Sequence, residues 1–270
     1  MTQNHKSAGL RTFAALFLMV AAQTPYVFTG LARAQTVVTR IGVGCGVSEE
    51  KFNALRSVQS DPSLSYLDEL TSELRIRKEL LSETVGCAIQ EALSLQSTLK
   101  TTSVNDQEIK SAQTQLEDRL ADALNYYGLQ KAKIPDLGIQ GSKDFAASLQ
   151  AWREGTYAPI AKEASNVIIW AGNQGLIATA ENRMNQMGHT MELLNLVGNT
   201  DLTTLWNDAQ ESFKTTLDIN QKARDALRVI GDAKQTLDLI KSSLDALALT
   251  YQKLFELNNR LVNNPTGSNK

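Results

Sequence analysis

Apolar residues recur along most of this chain at spacings of three, four and seven, the period of a buried helical face. The first stripe follows Asp61 and Pro62, a good N-cap and a good first helical residue. It passes through Leu64, Leu67, Leu70, Leu74, Leu81, Val85, Ala88, Ala92, Leu95 and Leu99 and predicts one long helix. Glu73 and Arg77 stand four apart on it, a favourable pair. Thr101 to Asn105 reads as a turn, and Ser103 before Asp106 resembles a capping box with a shorter acid. A second helix runs from there to about Lys133, where Pro135 and Gly138 end it. A third starts at Ser142, with Phe145, Leu149 and Trp152 on one face. Gly155 stops or kinks it. Pro159 fits only the first turn of a fourth helix, which continues to about Val197.

Gly198 to Asp201 is a turn, and the pattern then predicts one last helix from Leu202 to about Leu261. Its heptad a positions include Ala209, Thr216, Ala223, Ile230, Leu237, Leu244, Tyr251 and Asn258. Its d positions include Leu205, Ile219, Ile240, Leu247, Leu254 and Leu261. The first half of this seam is weak and Ala-rich, and the second is a strong coiled-coil face. Unbroken, the helix would be about 90 Å long, with Gly231 the place for a bend. No proline interrupts 63–134 or 160–264, which permits helices of this length. The expected fold class is all-α: an elongated bundle of long helices with a coiled-coil-like C-terminal helix. The residues Leu237, Ile240, Leu244, Leu247, Tyr251 and Leu254 form its candidate interface, buried within the chain by default or paired with a second chain.

The ends read differently. Residues 13–22 (FAALFLMVAA) follow His5, Lys6 and Arg11, and Ala32-Arg33-Ala34 lies downstream. That is the pattern of a secretory signal peptide over 1–34, too short in its apolar run to span a membrane. Residues 35–60 are expected to form an extended arm with a short helix at Glu49 to Val58. The bundle then occupies 61–262, and 263–270 is a polar tail expected to be disordered. The expected location is outside the cytoplasm: periplasmic, cell-surface or extracellular.

Charge narrows the partners. The signal-like segment holds three of the 27 basic residues and none of the 29 acids, leaving 24 against 29. A mildly acidic chain is a poor fit to nucleic acid, which needs a basic face. Cys45 and Cys87 are the two cysteines. In an oxidising compartment they read as one disulfide, and a loop of this size is worth about 4 kcal/mol in the chain-entropy model. Two free thiols are the alternative.

Little in the sequence states a chemistry. Gly42, Gly44 and Gly46 invite comparison with a phosphate loop, but no Gly-Lys-Ser/Thr ending follows. Cys45 is no lipobox cysteine, because it stands far beyond Ala22 with Arg40 between. Met184, Met187, His189 and Met191 offer soft donors for Cu(I). At about 100° per residue the three methionines share a helical face and His189 falls opposite. A site using all four therefore needs the helix to break at Gly188. His189 is the one histidine beyond His5, so histidine-based catalysis has little to build on, and no catalytic residue or cofactor is expected. Residues 167–180 (VIIWAGNQGLIATA) form the most apolar stretch outside the signal-like segment. They suit a buried central helix better than membrane insertion, with Gly172 and Gly175 letting a neighbour approach. Trp152, Arg153, Tyr157, Trp170, Tyr126 and Tyr127 are residue types of interface hot spots and equally of cores.

The segments LRIRKELL (Leu74 to Leu81) before Cys87, WREGTYAP (Trp152 to Pro159) and SLDALALTYQKLF (Ser243 to Phe255) resemble a family of exported, all-helical bacterial proteins with no known activity. In layout the chain is also similar to helical pilus-tip components of conjugative secretion systems. The expectation is an exported, non-enzymatic structural or interaction module of the bacterial envelope. Its partner would be another envelope or extracellular protein, or a second copy. The alternatives are a membrane-active, pore-forming-like helical protein, a secretion- or pilus-associated component, and a Cu(I)-binding protein.

Overall fold

The computed structural model describes residues 49–193 and 198–263. The described residues are 92% helical, with no strand among them. In chain order α1 is Glu49–Ser60, α2 Tyr66–Thr101, α3 Gln107–Lys133, α4 Ile139–Trp152, α5 Ala158–Leu193, α6 Thr200–Val229 and α7 Ala233–Asn263. The expected all-α bundle is therefore present. The signal-like segment, most of the arm and the tail lie outside the described residues.

Side-chain caps decide where the helices start. Asp61 does not cap α2. It accepts from the Ser63 amide and hydroxyl in a tight turn of its own. Ser65 caps the helix, accepting from the Asp68 amide and donating to its carboxylate at 2.6 Å. Leu67, expected in the buried stripe, is 74% exposed for that reason: it stands in the first turn, before the buried face begins. Asp106, rather than Ser103, caps α3 through the Glu108 and Ile109 amides. Asn199 caps α6 through the Leu202 amide.

Around Pro159 the helix is not broken. A π-helical turn, Arg153–Tyr157, joins α4 to α5. Proline has no amide to donate back to the preceding turn, and the wider π spacing absorbs that loss.

The predicted single last helix is overturned. Ile230 takes φ +41° and the chain reverses before α7 begins at Ala233. The Ser243 hydroxyl donates to Thr216 O, Lys253 pairs with Asp208 and Arg260 with Asp201. These pairs set α6 and α7 antiparallel, about a midpoint near Ile230. The weak, Ala-rich half of the heptad pattern is thus the partner of the strong half.

The chain divides into two compact units. Among the described residues, the N-terminal unit holds 49–171 with 226–234, and the C-terminal unit holds 172–193, 198–225 and 235–263. In the first, α2 and α3 pack as a hairpin around Val85, Ala92, Leu95, Leu99, Ile109, Leu116 and Leu120. Gln113, buried at the turn, donates to Leu99 O and Thr102 O. In the second, α5, α6 and α7 bury Met184, Met187, Ala209, Ala223, Ile240, Leu247 and Leu257. Gln174 and Asn220 exchange amide hydrogen bonds across α5 and α6, and the Tyr251 hydroxyl donates to Leu176 O.

Candidate functional site

The N-terminal unit contains a half-open cavity of about 510 Å³. One face of α2 forms its long wall: Arg77, Leu80, Leu81, Thr84, Cys87, Ala88 and Glu91 recur at three and four. α4 contributes Ser142, Ala146, Leu149 and Gln150, and the π turn contributes Arg153. α1 adds Phe52 and Leu55, and α3 adds Tyr127. The middle is apolar and each end carries an ion pair. Arg77 bonds Glu73 at 2.6 Å, and Arg153 bonds Glu91 at 2.6 Å.

Electrostatics favour the charged forms of Glu73 and Arg153. Burial alone would raise the Glu73 pKa, but hydrogen bonds from Arg77 and Gln59 outweigh it and keep the carboxyl below its usual range. Burial likewise disfavours the Arg153 cation, and Glu91 more than offsets it. Arg153 also lies over the Tyr157 ring, 5.1 Å from its centroid. Tyr126 stacks on Trp152 at 3.8 Å, while Tyr127 meets Trp152 and Tyr157 edge-on. Tyr127 and Tyr157 are almost wholly buried, and neither hydroxyl has a hydrogen-bond partner of acceptable geometry. Burial raises the pKa of both phenols. An unanswered buried hydroxyl costs about 1–3 kcal/mol, and here Arg153 lies beside Tyr127 and Glu91 beside Tyr157.

Of the aromatic and arginine residues singled out in the sequence, Tyr126, Tyr127, Trp152, Arg153 and Tyr157 are thus drawn together, and Tyr127 and Arg153 line the cavity; Trp170 is buried on α5. Glu91 and Arg77 were not recognised as members, since sequence spacing does not say which residue of α4 faces which of α2. Cys87 lines the cavity and is not a free thiol. Cys45 lies outside the described residues.

The C-terminal unit has a shallower groove of about 520 Å³ between α5 and α6. Its floor is Gly188, against which the Trp206 ring rests; a methyl group at Gly188 would come within 3.2 Å of that ring. Met184, Phe213 and Leu217 extend the apolar strip, and Leu217 is 41% exposed. Glu181, Asn185, His189, Glu192, Gln210 and Lys214 form a polar rim.

The copper candidates are not brought together. α5 runs unbroken through Gly188, so Met184, Met187 and Met191 turn into the core while His189 stays exposed on the rim. Among the described residues no group of three His, Cys, Asp or Glu is placed to hold a metal ion. The candidate interface on α7 is largely consumed within the chain: Ile240, Leu244, Leu247 and Leu254 are buried, and Leu237 and Tyr251 are half-buried. No described helix is long and apolar enough to cross a membrane. Val167, Trp170, Ile177 and Ala180 are buried instead. Gly172 and Gly175 admit no close neighbour, because nothing lies within 4 Å of a β-carbon built there. No family model, curated protein or solved structure matches the chain.

Proposed function

We infer that this protein is an exported, non-enzymatic interaction module of the bacterial envelope, which contacts another protein through a helical face. The observation that carries this reading is the α5–α6 groove. Its half-exposed Trp206, its exposed Leu217 and its polar rim match the composition of an interface core and its surround. The α7 seam cannot serve in its place, since its apolar face is spent on internal packing. Export belongs to the same reading and rests on the residue pattern of 1–34. So does a bridge between Cys45 and Cys87, which the absence of a free thiol at Cys87 supports.

The test is site-specific photocrosslinking in intact cells. A photoreactive residue replaces Leu217, and a control replaces Leu249, which is similarly exposed on α7. A discrete crosslinked protein from position 217, absent from 249 and lost when Trp206 becomes Ala, is the expected result. Equal crosslinking at both positions, or none at 217, would sink the assignment.

A further inference from the structure

Among the described residues, Ile230 in the turn between α6 and α7 is the non-glycine residue with a positive φ, +41°. Such a backbone is locally unfavourable and persists only where its surroundings hold it. On the α6 side the hold is firm: Leu227 is buried, and Arg228 pairs with Glu108 of α3 at 2.9 Å. Gly231 and Asp232, which follow, lie at the surface.

Two side chains of α5 meet this turn from within. They stand three apart and so share a face of the helix. Asn166 is buried, and its Nδ2 donates to Ala233 O at 2.8 Å. Glu163 is only 4% exposed. It faces the Gly231 amide and the Asp232 carboxylate, with Arg119 of α3 the cation on its other side. Its Oε1 has no hydrogen-bond partner. All of these residues belong to the N-terminal unit.

The two contacts differ in kind. The Asn166 amide holds Ala233 at any pH. The Glu163 carboxyl is costly to ionise in place, because burial keeps water away and Asp232 adds a like charge. The Gly231 amide and Arg119 favour the anion, but they do not offset these costs, so the pKa stays above the usual carboxylate range. Lifting Gly231 and Asp232 hydrates Glu163, withdraws the like charge and lets Ile230 leave its unfavourable φ. The closed turn therefore binds the Glu163 proton more tightly than the open one. By linkage, closure is fully favoured at low pH and is lost as pH rises through the closed-state value.

We propose that Glu163 and Asn166 form a two-point clasp on the turn between α6 and α7, and that loss of the Glu163 proton frees Ile230 to Asp232 while Asn166 keeps its hold on Ala233. The turn is thus a pH-sensitive latch built into the N-terminal unit, and it opens locally, without unfolding of the α2–α3 hairpin.

The experiment follows the full chain by nuclear magnetic resonance from about pH 4 to about pH 8. One readout is exchange of the Gly231 amide, corrected for the intrinsic pH dependence of exchange. The other is the Ile230 Cα shift, which follows φ. In the unmodified protein Gly231 protection falls roughly tenfold for each unit by which the closed turn raises the pKa. The Ile230 shift moves off its positive-φ value over the same range, and the amides from Val85 to Leu99 do not change. Glu163→Gln keeps the shape without the charge and stays closed throughout. Asn166→Leu lowers protection by the same factor at every pH. Asp232→Asn removes the neighbouring charge, so its fall is smaller than that of the wild type. A wild-type turn indifferent to pH overturns the proposal, and so does the same fall in Glu163→Gln. A parallel loss at Val85 to Leu99 would mean global opening and overturns the latch. Should Glu163→Gln not fold, Asp232→Asn decides: a fall as large as the wild type's overturns the coupling of the two carboxyls.

Discussion

The C-terminal unit answers buried hydroxyls cheaply. Thr216, Ser243 and Thr250 are short hydroxyls, satisfied by carbonyls one turn back or on the adjoining helix. The N-terminal unit instead buries Glu73, Gln113 and Glu163, each with at least one partner on another segment, and leaves the hydroxyls of Tyr127 and Tyr157 unanswered. A hydroxyl bonded to its own helix tolerates small shifts of its neighbours. A charge bonded across helices does not, because its loss strands the other member in a poor solvent. The C-terminal unit is therefore built for packing, and the N-terminal unit holds specific groups in specific places around a cavity.

The baseline of this comparison is apolar packing, where both units should respond alike. Leu116→Ala in α3 and Leu257→Ala in α7 each empty a fully buried site and should cost about 2–5 kcal/mol in urea unfolding. A much smaller loss for either would mean that its core is not close-packed.

The units should part company at their polar groups. Arg153→Leu strands Glu91, whose side chain is only 17% exposed, and removes the cation over Tyr157. It should cost about 1–3 kcal/mol, with part recovered when Glu91→Gln is added. Thr216→Val, which loses only a bond to its own helix, should cost less. Equal costs would erase the distinction.

Glu163 supplies the pH signature. Burial raises its pKa, helped by Asp232 and opposed by the Gly231 amide and Arg119. The folded state thus holds this proton at a higher pH than the unfolded chain does. The associated stability is complete below the unfolded carboxylate range and is lost as pH rises through the folded value. Glu163→Gln should flatten that decline and gain about 1 kcal/mol at neutral pH. A variant whose urea midpoint tracks the wild type from acid to neutral pH would refute the assignment.

The smallest effects separate two glycines of one helix. Gly175→Ala meets open space and should stabilise by about 0.5–1 kcal/mol through helix propensity. Gly188→Ala must move Trp206, so its gain should be smaller or reversed, with a shift in tryptophan emission. Equal gains would show that the ring does not rest on Gly188.

How much of this was legible in advance differs from element to element. The α2 stripe from Val85 to Leu99 and the end of α3 near Lys133 follow from near neighbours in the chain, whereas the cap of α3 falls at Asp106 and not at Ser103. The i,i+4 pair of Glu73 and Arg77 follows in the same way. The cavity does not, although Tyr127 and Arg153 of its lining stand out by type. Arg153 finds Glu91 across 62 positions, and no spacing rule connects them.

What the sequence determined by itself was the helical class and the approximate span of most helices, since period, capping residues and the absence of proline act within a turn or two. What only the tertiary structure decided was the reversal at Ile230, the continuity through Pro159 and the faces that meet. A non-glycine residue at positive φ is locally unfavourable by about 1 kcal/mol or more. Local preference therefore runs against the break at Ile230, and an uninterrupted heptad pattern conceals it. The antiparallel burial of the Leu-rich half of the seam on the Ala-rich half outweighs that cost, and it exists only after the chain has turned back on itself.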